Sequence, residues 1–186
     1  IYLILPTSPA LGQTRPDNPE TPIQKSHINH TQSANGSGAM VVTANPHATD
    51  AAIQMLRSGG NAIDAAIAAQ LVLGLTEPQS SGLGGGAFIL YYDAEAEKLY
   101  TIDGRETAPQ NAEEDLFLDN GVPMPFWEAV IGGRAVGTPG TPKLLNSLHK
   151  RFGAKNWETL FDPALALADN GFVISPRLAG LIAENK

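Results

Sequence analysis

The chain contains no cysteine, and its 186 residues include only 12 Lys and Arg against 19 Asp and Glu. The missing thiols exclude disulfides, thiolate nucleophiles and thiolate metal sites, but they fit an oxidising compartment as well as a reducing one. A net charge of -7 disfavours electrostatic binding to nucleic acid or to an anionic membrane surface, because both carry negative charge. We therefore expect no nucleic-acid partner.

The chain also lacks an apolar run of membrane-spanning length. Its most apolar segment, residues 62–75, is too short to cross a bilayer and is apolar on nearly every face, which predicts a helix buried between other elements. A hydrophobic content of 42% can form a sizeable core in one domain or in a piece of a larger one. No membrane span is expected.

The N-terminal segment has the composition of a processed leader. Residues 1–12 begin with an apolar run and continue into small residues, as at the end of a signal peptide, and we interpret them as a signal-peptide remnant. Residues 13–38 are polar and predict a flexible tail, and residues 39–186 form the folded part. The leader predicts a periplasmic or secreted protein.

Histidine spacing gives little support for a metal site. His27 and His30 are three residues apart, which would place both imidazoles on one helical face, but no other ligand pattern accompanies them. His47 and His149 are interpreted as ordinary polar positions. No metal is expected.

The folded part begins with a short strand and two helices. A β-branched run predicts a strand at 40–44, and helical spacing of apolar residues predicts a helix over 48–56. Asn61 is placed to cap a second helix that runs to about residue 75, with Asp64 near its positive end. A buried helix of this kind needs layers on both sides of it.

A hairpin supplies one such layer. Residues 87–93 and 98–103 are rich in β-branched and aromatic residues and are separated by an acidic turn, which predicts two antiparallel strands. We expect the two helices to lie against a mainly antiparallel sheet that contains this hairpin, and the fold class is therefore α+β.

The C-terminal part is predicted to be mostly helical. Residues 110–131 have no regular pattern and are interpreted as a surface excursion, and the last helical pattern is still running at Lys186, so we expect a truncated chain. The first helix starts at Thr141-Pro142 with a hydroxyl cap and stops at Gly153. A second helical region is capped by Asn156 and is interrupted near Asp162-Pro163. The last helix starts at Ser175-Pro176.

Five residues, 82–86, form a glycine-rich loop that invites comparison with a phosphate-binding loop. Such a loop should follow a strand and open a helix, whereas here a helical pattern precedes it and a strand follows. No Lys-Ser/Thr pair follows the glycines. We therefore interpret them as residues for tight turning and close backbone packing.

Arg105 is the candidate binding residue, because a guanidinium can grip a carboxylate through two parallel hydrogen bonds and because strand exits often carry sites. The alternative is a structural or surface ion pair with Asp103 or Glu106. Ser80 and Ser81 carry hydroxyls but lack a nearby base, so turn formation is the favoured role for them. Residue chemistry alone therefore leaves a possible anion site.

Four motifs in a fixed order resemble the γ-glutamyltransferases, also called γ-glutamyltranspeptidases or glutathione hydrolases. They are VVTANP at 41–46, GGNAIDAA at 59–66, EPQSSGLGGG at 77–86 and DGRE at 103–106. The resemblance covers residues 39–186 and is to the N-terminal part of the large subunit. It implies an N-terminal-nucleophile hydrolase fold, an αββα sandwich that would be incomplete in a truncated chain.

The same resemblance implies a precursor that cleaves itself into a large and a small subunit. The nucleophile of the family is the threonine that begins the small subunit, so no catalytic residue and no cofactor are expected in this chain. The implied partners are the small subunit of the same precursor and a γ-glutamyl substrate such as glutathione.

Arg105 matches the family arginine that binds the α-carboxylate of the γ-glutamyl group. Two alternatives stay open: a relative specialised for other acyl amides, such as a cephalosporin acylase, and a non-catalytic paralogue or binding module. A processing threonine further along the gene would favour the enzyme, and its absence would favour the inactive protein.

Overall fold

The computed structural model describes residues 35–184. The predicted signal-peptide remnant, residues 13–34 of the predicted tail, and His27 and His30 lie outside the described residues. Residues 35–38 are irregular and exposed. The described chain divides into a larger unit, residues 35–112 with 137–184, and a small unit formed by residues 113–136.

Two capped helices open the larger unit. Helix α1 spans Pro46–Arg57, and the side chain of Asn45 accepts a hydrogen bond from the backbone N–H of His47 at 3.0 Å. Helix α2 spans Ala62–Thr76 and begins with a capping box, in which Asn61 and Asp64 each bond the backbone of the other. The predicted Asn61 cap is confirmed.

An antiparallel hairpin follows α2. Strand β1 is Ala87–Asp93 and strand β2 is Lys98–Gly104, paired so that Ala87 lies opposite Gly104. The face of β1 that carries Ile89 and Tyr91 packs against the core, whereas the opposite face is exposed. The predicted hairpin is confirmed, with β2 one residue longer than expected.

Three further helices belong to the larger unit: α4 spans Thr141–Phe152, α5 spans Asp162–Asn170 and α6 spans Pro176–Glu184. A 3-10 turn lies at Glu158–Leu160. Gly153 follows the end of α4 as predicted. Ser175 caps α6, since its hydroxyl accepts from the N–H of Leu178 at 3.1 Å. The core consists of buried side chains from α1, α2 and α4 together with Leu160: Ala48, Ala51, Ala52, Met55, Ile63, Ala65, Ile67, Ala68, Ala69, Leu71, Val72, Leu144, Leu145 and Leu148.

Three local predictions were wrong. Residues 40–44 are not a strand, because no described strand pairs with them and the hydroxyl of Thr43 donates to the carbonyl of Asn45 at 2.7 Å. The predicted start of α4 at Thr141-Pro142 is confirmed, but Thr141 is the first helical residue and its hydroxyl makes no cap. The expected Asn156 side-chain cap is replaced by a backbone contact, in which its carbonyl accepts from the N–H of Thr159. The interruption predicted near Asp162-Pro163 is confirmed, since the 3-10 turn ends at Leu160 and α5 begins at Asp162.

The small unit contains regular structure that the sequence pattern did not predict. Strands β3, Leu118–Asp119, and β4, Val122–Pro123, form a minimal hairpin whose turn has positive φ at Asn120 and Gly121. A short helix, α3, spans Phe126–Val130 and is followed by a 3-10 turn at Gly133–Ala135. In residues 35–184 no helix is long and apolar enough to cross a membrane.

Candidate functional site

Arg105 follows directly on the last residue of β2, as the sequence predicts. Its backbone N–H donates to the Asp103 carboxylate at 2.9 Å, which turns the chain away from the strand. Its side chain is 60% exposed, and its Nε lies 3.0 Å from Oε2 of Glu106. Of the two carboxylates considered from the sequence, Glu106 thus pairs with the side chain and Asp103 holds the backbone.

The ion pair uses one edge of the guanidinium. The contact is made through Nε, and the edge formed by Nη1 and Nη2 has the fork geometry that matches a carboxylate. Because the Arg105 side of the pair is exposed, solvent screens the charge and the pair contributes little to stability. The structural ion pair and an anion site on Arg105 are therefore compatible.

Glycines pack around the exit of β2. A Cβ added at Gly86 would lie 2.6 Å from the Cα of Arg105, and one added at Gly140 would collide with the carbonyl of Gly104. The carbonyl of Gly85 accepts from the N–H groups of Gly140 and Thr141 at 3.0 and 3.1 Å. The glycine-rich loop therefore fixes the backbone beside Arg105 by close approach, as predicted for Gly85 and Gly86.

Glu106 is held between two of these glycines. A Cβ on Gly137 would lie 3.0 Å from the Glu106 Cβ, and one on Gly85 would lie 3.2 Å from Oε1. The buried Oε2 of Glu106 meets a positive charge at Nε of Arg105. An antiparallel β-bridge between Thr107 and Thr138 continues the contact between these two segments beyond Glu106. The sequence named Glu106 as one of two candidate ion-pair partners of Arg105, and the structure pairs it with the side chain.

Glu77, at the end of α2, is the centre of a buried polar cluster that the sequence did not reveal. Its carboxylate accepts from Asn45 at 2.8 Å and from Gln79 at 2.5 Å. Burial raises the pKa of this carboxyl, but hydrogen bonds from Asn45, Gln79 and Ser175 and the charge of Arg177 outweigh it, so that the pKa is lowered overall. The cluster ties the start of α1 and the start of α6 to the turn that leads into the glycine-rich loop.

The two serines form a turn, as predicted. The N–H groups of Ser80 and Ser81 both donate to the carbonyl of Glu77 at 3.0 Å, and the Ser81 hydroxyl accepts from Gln70 at 2.7 Å. Strand β1 follows the glycines directly, which is the arrangement that excludes a phosphate-binding loop.

The described histidines make ordinary contacts. His47 meets the ring of Phe172 edge-on at 6.0 Å, and Nε2 of His149 lies 2.7 Å from the carbonyl of Lys155. Between residues 35 and 184 no group of three or more His, Asp or Glu side chains is placed to hold a metal ion.

Solved structures share this fold. The γ-glutamyltranspeptidase of Helicobacter pylori superposes with a TM-score of 0.75 at 34% identity, over 82% of this chain and 44% of that one. The cephalosporin acylase of Bacillus halodurans gives a TM-score of 0.65 at 30% identity, over 81% of this chain and 29% of that one. The predicted α+β N-terminal-nucleophile hydrolase fold is confirmed, and the described residues form part of it.

The family follows from the sequence comparison. The model of the γ-glutamyltranspeptidase family matches residues 48–186, and the chain belongs to this family. The glutathione hydrolase proenzyme of Bacillus subtilis strain 168 is 44% identical over 161 residues, which are 86% of this chain and 27% of that proenzyme. The chain thus spans about a quarter of the length of the curated relatives that it matches.

Proposed function

We propose that residues 39–186 are the N-terminal portion of the large subunit of a γ-glutamyltransferase or glutathione hydrolase. The complete enzyme cleaves the γ-glutamyl amide bond of glutathione and similar compounds and transfers the γ-glutamyl group to water or to an amino acid or peptide. Family membership and the proenzyme relative support this proposal. The observation that carries it is the exposed guanidinium of Arg105, placed by glycines at a strand exit.

Arg105 binds the α-carboxylate of the γ-glutamyl group. The two terminal nitrogens donate parallel hydrogen bonds to the two carboxylate oxygens, while Glu106 holds the Nε edge. This grip acts on the end of the substrate away from the scissile amide, so it orients the γ-carbonyl for attack without taking part in bond breaking.

The reaction needs a nucleophile from the rest of the precursor. We assign it to the threonine that begins the small subunit, whose hydroxyl attacks the γ-carbonyl and whose proton passes to the leaving amine. Water or an acceptor amine then attacks the resulting ester and releases the threonine. The small subunit is therefore the partner of this chain, and the composition of residues 1–12 supports a periplasmic or secreted location.

Substitution of Arg105 tests the proposal in the full-length enzyme. Deleting one partner of a charge-assisted pair in a partly desolvated pocket costs roughly 2 to 5 kcal/mol, so Arg105→Ala should lower kcat/KM for γ-glutamyl amides roughly thirtyfold or more. Arg105→Lys should recover only part, because an ammonium lacks the planar fork. Arg57→Ala, at an exposed arginine in the last turn of α1, is the matched control.

Each variant is expressed from the complete gene, subunit cleavage is checked on a gel, and rates are compared with an analogue that lacks the α-carboxylate. Equal losses on both substrates would show that Arg105 does not bind that carboxylate. An enzyme that cleaves acyl amides without the α-carboxylate as fast as γ-glutamyl amides would be an acylase of the cephalosporin-acylase kind. A precursor that matures but turns over neither substrate would be a non-catalytic paralogue.

A further inference from the structure

We propose that Phe88 is a positioning residue for Arg105, and that it sets the affinity for substrates that carry an α-carboxylate. This inference rests on the proposed function. The centroid of the Phe88 ring lies 5.8 Å from Cζ of Arg105, within the range of a cation–π contact. The guanidinium is thus restrained by Glu106 at Nε and by an aromatic ring.

The hairpin register produces this contact. Phe88 in β1 lies directly opposite Asp103 in β2, and Arg105 is two residues beyond Asp103. Diagonal neighbours on one face of an antiparallel pair are within reach of aromatic and long side chains. The strand pairing therefore sets the position of the Phe88 ring relative to Arg105.

Within residues 35–184, core packing does not account for this ring. Phe88 is 67% exposed, whereas its neighbours Ala87 and Ile89 pack against the core. Leu90 and Tyr92 share the outer face and are comparably exposed, but among the described residues it is Phe88 whose ring meets a guanidinium of the site. Phe88 is thus distinguished from its neighbours on the strand by a contact with the candidate binding residue.

The ring supplies a restraint that the ion pair lacks. An arginine side chain carries several rotatable bonds, and a single exposed contact at Nε allows the outer edge to swing. A flat ring beside the guanidinium favours one plane, so that less conformational freedom is lost when the substrate carboxylate docks. Phe88 acts on binding through Arg105, without touching the scissile bond.

The expected result for Phe88→Leu in the full-length enzyme is a rise in KM for γ-glutamyl amides of roughly threefold to tenfold, with kcat little changed, because leucine keeps apolar bulk but has no π face. Phe88→Tyr keeps the π face and should show the wild-type KM. Leu90→Ala, two residues along the same face, should also leave KM unchanged. Circular dichroism and subunit cleavage on a gel show whether each variant has folded and matured.

The decisive measurements use the analogue without the α-carboxylate and the Arg105→Ala background. Phe88→Leu should have the wild-type KM on the analogue. In the Arg105→Ala background it should cause no further rise in KM for γ-glutamyl amides. An equal loss on both substrates, a loss in Phe88→Tyr equal to that in Phe88→Leu, or a full effect in the Arg105→Ala background would overturn the inference. A wild-type enzyme without γ-glutamyl activity would instead overturn the proposed function.

Discussion

The two ends of helix α2 each carry a buried carboxylate, but the two carboxylates serve different parts of the molecule. At the start, Asp64 is fully buried and accepts from the N–H of Asn61 at 2.9 Å and from that of Ala154 at 3.1 and 3.2 Å. At the end, Glu77 gathers side chains from three separate segments and leads into the glycine-rich loop. One end joins helices, and the other supports the approach to Arg105.

Sequence-local and long-range roles can lie on one side chain. Asp64 is a helix-capping residue for its own helix and also receives the chain that leaves α4, 90 residues away. Glu77 has no capping role that a sequence pattern would suggest, and its partner Asn45 is itself the cap of α1. Substitutions at the two ends should therefore separate global stability from the arrangement of the site.

The largest expected effect is at Asp64. Asp64→Ala leaves the N–H groups of Asn61 and Ala154 without their carboxylate partner, and each lost hydrogen bond to a charged group costs about 1.5 to 3 kcal/mol. We expect a loss of about 3 kcal/mol in the free energy of unfolding of the complete enzyme, measured by denaturant titration. Asp50→Ala, at an exposed position in α1, is the control and should change stability by less than about 0.5 kcal/mol.

Should Asp64→Ala unfold at the same denaturant concentration as Asp50→Ala, the contact with the segment after α4 would contribute nothing, and the contrast between the two ends of α2 would disappear.

A smaller loss is expected at Glu77. In Glu77→Gln the new amide NH₂ group faces one of the two donors, Asn45 or Gln79, so one hydrogen bond is lost and two donors oppose each other. The expected cost is about 2 kcal/mol of stability, with a rise in KM for γ-glutamyl amides because the turn before the glycine-rich loop is loosened. Glu95→Gln, at an exposed turn residue, serves as the matched control.

A Glu77→Gln enzyme with reduced stability but wild-type KM would assign this cluster to folding alone, and would remove the link between the end of α2 and the site.

The smallest effect is a pH dependence. The lowered pKa of Glu77 means that the folded state favours its ionised form, so its contribution is fully present above the ordinary glutamate pKa of 4.5. That contribution is lost as the pH falls from 4.5 through the lowered value. The stability difference between wild type and Glu77→Gln should therefore shrink below about pH 4.5, as followed by thermal melts at a series of pH values. A difference that stays constant with pH would contradict the lowered pKa.

The sequence predicted the features that depend on neighbouring residues. The Asn61 cap, the hairpin and the Gly153 stop each follow from a pattern of a few positions. The strand expected at 40–44 is absent because strand formation needs a partner, and the described chain offers none there. Local propensity cannot show whether such a partner exists.

The same division between features set by neighbouring residues and features set by distant partners holds at the candidate site. The sequence placed Arg105 at a strand exit but could not choose between substrate and ion pair, because both use the same guanidinium. It could not show that Gly140, and not Thr141, is the N-cap of α4, so that the N–H of Leu144 bonds the carbonyl of Gly140 and the threonine hydroxyl makes no cap. Nor could it show that Asn45 reaches Glu77, a contact between residues 32 positions apart.

The close crossing of glycines beside Arg105 has a consequence for specificity redesign. The backbone at Gly104 and Arg105 is placed by contacts with Gly86 and Gly140 and does not depend on the arginine side chain. Position and chemistry are therefore separable at this strand exit. A library that varies residue 105 and keeps the glycines would present each new side chain from the same point in space, so changes in substrate preference would report the side chain alone.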